Sequence, residues 1–240
     1  TIYYISPQIW AWKEKRIHTI KKVIDKMLVI LPFEKTFYEK WEYHVDYVGH
    51  PLIEIIDEYQ LENDSKKIRA RLGIDHEKKL IALLPGSRKQ EITKKLPIML
   101  ESSKDFPDAV FVVAQAPGIA DAFIQELTNK YSNVKILKNK TYDLLSIADA
   151  ALVTSGTATL ETALFRVPEI VCYKGSAISY AIAKQLIKVK YISLVNLIMD
   201  KPIVKELIQN EVVRKDHFFL NTGHFYENGY MYCLSHEKDN

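Results

Sequence analysis

The chain has 240 residues and a formal net charge of +3, so charge alone does not mark it as a binder of polyanions, and no nucleic acid is expected as a partner. Apolar residues make up 48%, enough for one large or two small cores, and no apolar run approaches the ~20 residues of a membrane span. Two cysteines, Cys172 and Cys233, exclude a disulfide framework and fit a reducing compartment, with Cys172 reading as a buried thiol.

In chain order, "TIYYIS" reads as a strand from its first residues. A lone strand is not stable, so the chain reads as a fragment whose upstream part is missing. Trp10, Ile17, Ile20 and Ile24 recur at helical spacings and predict an amphipathic helix over about 12–25. A strand follows at 27–31, stopped by Pro32. "FEKTFYEKW" predicts a helix and "VDYVG" a strand, and His50-Pro51-Leu52 turns the chain into a helix through residue 59. Residues 60–79 are polar and charged, the best place for a linker. The alternation then restarts. Strands are expected at 80–84, 109–114, 134–137, 150–153 and 169–173, with helices between them and after the last.

Strands alternating with helices imply a parallel sheet covered on both faces. Two such runs around a polar joint predict two α/β domains, the first incomplete. The expected division is 1–60, a linker at 61–79, a second domain at 80–213, and a tail at 214–240. That tail is aromatic, His-rich and without period, and it reads as irregular. Its His217, His224, Cys233 and His236 match no zinc spacing, so no metal site is expected. No signal-peptide pattern opens the chain, so the cytoplasm is the expected location.

Two turns carry the chemistry. "LIALLPGSRKQE" places Gly86, Ser87 and Arg88 just past the carboxyl end of a strand. "ALVTSGTATLE" places Ser155, Gly156 and Thr157 at the equivalent place after a later strand. In open α/β sheets ligands bind at the carboxyl ends of strands. A helix start offers unpaired N–H groups and partial positive charge. Gly admits a phosphate close to the backbone, a hydroxyl adds a donor, and Arg88 can grip phosphate oxygens bidentately. The anion inferred is a phosphate or diphosphate. Glu161 lies more than one turn down the second helix, ~7 Å along its axis, and suits the hydroxyls of a ribose. The ligand then reads as a nucleoside diphosphate. Singly, each turn is plain helix capping, and neither matches the Walker or G-x-G-x-x-G patterns. Asn196, in the apolar setting of "YISLVNLI", either bonds a ligand or caps a helix.

Residues 13–26 hold Lys13, Lys15, Arg16, Lys21, Lys22 and Lys26 against Glu14 and Asp25. With Trp10 and Trp12 beside them, they form either a surface for anionic lipid or a solvated helix face with its tryptophans in the core.

The stretches "YISPQIWAWKEKR", "LPFEKTFYEKW", "VGHPL", "LLPGSRKQEI", "TSGTATLETALFRVPEIVCYK" and "YISLVNLIMDKPIVKELIQ" resemble lipid-A-disaccharide synthase. They span about residues 3 to 213. The resemblance implies a GT-B architecture of two Rossmann-like domains and an inverting glycosyltransferase that uses no metal or other cofactor. That family joins UDP-2,3-diacylglucosamine to 2,3-diacylglucosamine 1-phosphate and releases UDP. By resemblance, Gly86, Ser87, Arg88, Ser155, Gly156 and Thr157 hold the diphosphate, Glu161 the ribose, and Asn196 lies near the donor. If the basic segment beside Trp10 and Trp12 meets lipid, the expected contact is a peripheral one with the cytoplasmic face of the inner membrane. The family's first half-domain, which carries its expected acidic general base, has no counterpart here, so the catalytic residue is unknown. The tail after Val213 does not resemble the family's carboxyl-terminal helices. A UDP-sugar epimerase of the same architecture and an inactive UDP-binding fragment are the competing readings.

Overall fold

A computed structural model describes residues 1–174 and 190–208. The expected tail at 214–240 and Cys233 lie outside the described residues. Among those described, 1–55 and 190–191 belong to one compact unit, and 56–174 and 192–208 to another.

The first unit holds three parallel strands in the order β1-β2-β3: Ile2–Tyr4, Lys26–Val29 and Asp46–Tyr47. The helix expected over 12–25 is broken into α1 (Ile9–Trp12), a 3-10 turn (Glu14–Arg16) and α2 (Ile17–Val23). Lys13, with φ −135° and ψ 51°, leaves the helical region between them. Tertiary contacts override the spacing here. The break lets Trp10 turn its Nε1–H onto Glu34 Oε1 at 3.1 Å, while Ile17 and Ile20 join Met27, Val29 and Tyr38 in the core. Helix α3 (Pro32–Glu39) supplies Glu34, whose other oxygen accepts the Leu31 and Ile30 N–H groups at 3.0 and 3.3 Å. Burial raises the proton affinity of Glu34, and these hydrogen bonds pull it back.

Helix α4 (Pro51–Glu62) starts beside His50, whose Nδ1 accepts the Leu52 N–H. The polar segment read as a linker carries α5 (Ser65–Arg71), capped by Asp64. It buries Ile68 and Ile74, and Arg69 donates to the carbonyls of Asp75, Lys78 and Ile147.

The second unit is a six-stranded, all-parallel sheet in the order β6-β5-β4-β7-β8-β9. Its strands are β4 (Leu80–Leu84), β5 (Val110–Gln115), β6 (Val134–Lys138), β7 (Ala150–Thr154), β8 (Glu169–Tyr173) and β9 (Lys205–Ile208). Every residue of β4 and β7 is buried, so both faces of the central strands are covered, as their unbroken apolar runs require. On one face, α6 (Lys89–Glu101) and α7 (Asp121–Thr128) pack Ile92, Leu96, Met99 and Ile124 against Leu83, Phe111 and Val113. Helices α8 (Thr141–Leu145) and α9 (Thr157–Leu164) complete the crossovers, and α10 (Leu194–Met199) precedes β9. Cys172 is buried in β8, and burial pushes its thiol up to about 12. No helix among the described residues is long and apolar enough to cross a membrane.

Candidate anion site at the switch point

The order of the large sheet reverses at β4. Strands β5 and β6 run out to one side of it, and β7, β8 and β9 to the other. The loops after β4 and β7 leave in opposite directions, and a crevice opens between them at the carboxyl ends of the strands. Neighbouring registers such as Leu84 opposite Val153 bring the two turns side by side. A cavity of about 360 Å³ lies there. Gly86, Ser87 and Arg88 line one wall and Ser155, Gly156 and Thr157 the other, with Glu161 deeper along α9. Seven of the eight residues singled out from sequence therefore meet in one cavity.

Both glycines are dictated by conformation. Gly86 has φ +106°, and a Cβ there would fall 2.7 Å from Glu91 Oε2 and 3.3 Å from Thr154 Cγ2. Gly156 has φ +148° and ψ −163°, a region open essentially to glycine alone, with free space around it. It serves as the N-cap of α9 without any side-chain cap, and Arg88 does the same for α6. The first N–H groups of both helices therefore remain available to a bound anion, reinforced by the helix dipoles. Arg88 is largely exposed, and its Nη1 lies 3.2 Å from Glu91 Oε1. A pair this exposed holds weakly, so the guanidinium is free to exchange Glu91 for a ligand oxygen. The Ser155 hydroxyl donates to Ile192 O at 2.9 Å, which leaves the backbone of that turn to face the cavity.

Glu161 Oε1 accepts from Tyr142 Oη at 3.2 Å. Burial raises its proton affinity, and the Tyr142 hydrogen bond opposes that. Burial, with the Glu161 charge, pushes the Tyr142 hydroxyl up to about 12, so it stays a donor. Tyr142 is itself wedged against Tyr59 and Phe165, with ring centroids 5.4 and 5.2 Å away.

Asn196 stands apart. It is not among the residues lining the cavity. Its amide donates to Val204 O and Glu206 Oε1 at 2.9 Å, and its carbonyl accepts the Val204 N–H at 2.8 Å. Ser193, not Asn196, caps α10. Conversely, sequence reasoning passed over Glu91, Thr154 and Thr141, which line the cavity, and Tyr142, which orients Glu161. Glu91 sits three residues past Arg88 at a helix start, a spacing that signals an ion pair.

A second cavity of about 360 Å³ opens at the opposite ends of the strands, lined by Glu77, Asp105, Asp108 and Asp149. Its carboxylates suit no anion, so chemistry rather than volume separates the two.

The sequence profile described as lipid-A-disaccharide synthetase matches residues 1–221. The lipid-A-disaccharide synthase of Psychromonas ingrahamii is 44% identical over 216 residues, covering 87% of this chain and 56% of that protein. That of Syntrophus aciditrophicus is 40% identical over 213 residues, covering 86% and 55%. The chain thus spans about half the length of the curated relatives it matches. Among solved structures, the UDP-GlcNAc 2-epimerase from Neisseria meningitidis bound to UDP-GlcNAc superposes with a TM-score of 0.54 at 18% identity. The match covers 76% of this chain and 54% of that one, a likeness of fold alone. The parallel sheets are Rossmann-like and of the GT-B kind. With the profile matched over most of its length and relatives at this identity, the chain belongs to the lipid-A-disaccharide synthetase family.

Proposed function

We propose that the chain is the nucleotide-sugar-binding part of a glycosyltransferase that joins UDP-2,3-diacylglucosamine to 2,3-diacylglucosamine 1-phosphate and releases UDP. The observation that carries this is the switch-point cavity, where two uncapped helix starts and Arg88 face one another with Glu161 set back from them. The diphosphate lies between the turns of Gly86-Ser87-Arg88 and Ser155-Gly156-Thr157, and the Glu161 carboxylate accepts the ribose hydroxyls. As the glycosidic bond to the donor sugar breaks, negative charge grows on the leaving diphosphate. Helix N–H groups and Arg88, fixed beforehand, stabilise that charge.

Calorimetric titration with UDP tests it. The parent chain binds, and Arg88→Ala weakens binding about tenfold or more, at least ~1.4 kcal/mol. A folded chain that does not bind UDP overturns the assignment of both turns.

We also propose that the first unit contacts an anionic lipid surface. Trp10 is buried on Glu34, but Trp12 is 53% exposed with Lys13 Nζ 4.3 Å from its ring centre. Lys15, Arg16 and Lys22 of the same unit are exposed as well. Sedimentation with vesicles of anionic lipid, against neutral vesicles, reads this directly. Trp12→Ala with Lys15→Glu lowers the bound fraction, and an unchanged fraction refutes the contact.

A further inference from the structure

We propose that Lys95 is a positioning residue of the anion cavity, a buried ammonium that acts on the ligand's phosphate through Thr154. This rests on the reading of the cavity as a diphosphate site.

Lys95 breaks the apolar stripe of α6. It lies among Ile92, Leu96, Met99 and Leu100, all buried in the sheet-facing core, and is itself only 5% exposed. Its Nζ donates to Thr154 Oγ1. An ammonium has donors and no acceptor, so the threonine oxygen accepts in this bond. The hydroxyl proton of Thr154 is then left to donate elsewhere. Thr154 is the last residue of β7, immediately before the Ser155-Gly156 turn, and it lines the cavity. Its Cγ2 lies only 3.3 Å from where a Cβ at Gly86 would fall, so it packs closely on the first turn. The threonine is therefore clamped between Lys95 and the first turn, with its proton left for an acceptor in the cavity.

The local charges are complementary to an anion. Burying a cation is costly unless an opposite charge answers it. Glu91, one turn earlier on the same helix, attracts Lys95 but already holds Arg88. On the other side lie the Tyr173 ring, 6.0 Å away, and the Cys172 thiol, which burial keeps protonated. Lys94 adds a like charge. Two cations thus share one carboxylate beside the cavity, and a diphosphate held there adds negative charge to answer them.

The test compares the purified parent chain with Lys95→Met and Thr154→Val. Each is titrated with UDP, uridine and inorganic pyrophosphate, and each is unfolded in denaturant. Lys95→Met removes a buried charge but keeps the volume, so its stability is unchanged or higher. Its UDP and pyrophosphate affinities fall about tenfold, as expected for a hydrogen bond to a charged group, while uridine affinity is unchanged. Thr154→Val shows the same split, and the double variant is no worse than either single one. If Lys95→Met binds UDP as the parent does, or loses uridine and UDP in equal proportion, Lys95 is a core residue only and the proposal fails while the UDP site stands. If the parent binds pyrophosphate but not UDP and Lys95→Met loses it, the UDP reading fails and Lys95 keeps its role. A folded parent that binds neither overturns both.

Discussion

Glu169 opens β8 opposite Ala151 and is 3% exposed. Neither of its carboxyl oxygens has a hydrogen-bond partner. Burial alone drives its proton affinity well above the ordinary carboxylate range. Glu169→Met keeps the length and removes two unsatisfied polar atoms. Leaving a buried polar group unpaired costs about 1–3 kcal/mol, so the variant is more stable by about that much even in acid. The gap also widens with pH. An acid whose folded proton affinity is raised contributes its full share of stability below its unfolded titration point. It loses that share as pH rises toward the folded one, at a limiting slope of about 1.4 kcal/mol per pH unit. Equilibrium denaturation at pH 5 and pH 8 measures both parts. The midpoint of Glu169→Met exceeds that of the parent at pH 5, and the difference is larger at pH 8. In thermal melts each kcal/mol appears as about 2–4 °C. A variant less stable than the parent at both pH values would refute the reasoning, because it would mean that the carboxyl is satisfied in solution.

Three further outcomes follow from the site and the first unit. Gly86→Ala meets Glu91 and Thr154 and must hold φ +106°, so it costs stability by about 1–3 kcal/mol and weakens UDP binding in calorimetry. On the proposed reading the Glu161 carboxylate accepts the ribose hydroxyls in its ionised form, so UDP affinity falls as pH drops through its raised titration point. Tyr142→Phe removes the hydrogen bond that opposes the shift and moves that fall to higher pH, seen in titrations between pH 5 and 8. Trp10→Phe leaves the buried Glu34 oxygen without its indole donor and destabilises the chain by about 1–3 kcal/mol in urea unfolding.

Much of the cavity was legible because its ingredients are local. The buried runs of β4 and β7, the glycines with special backbone angles, and Arg88 all lie within short stretches whose pattern needs no knowledge of the rest. The adjacency of the two turns was not legible, since strand order is set by long-range packing. Lys95 was missed for a related reason: residue type argues for the surface, and only the facing of α6 turns it inward onto Thr154. Asn196 illustrates the reverse. Its apolar surroundings announced a satisfied amide, but the partners proved to be Val204 and Glu206 of its own loop and strand. The break at Lys13 was not legible either, since the contacts beside it, such as Trp10 on Glu34, join residues far apart in the chain.

The pairing of β4 with β7, Ile81 opposite Ala150, has a consequence for how the cavity comes into being. Two complete strand–helix units separate the partners in the chain, and the two walls of the cavity face one another only once that distant closure is made. Closing a long loop costs entropy before its contacts repay it, which makes such pairings late events in folding. In a refolding experiment, recovery of UDP binding therefore trails the burial of the first strand and its helix. Ligand binding then serves as a clock for completion of the second sheet, and a chain stalled before residue 157 has one turn of the site and no site.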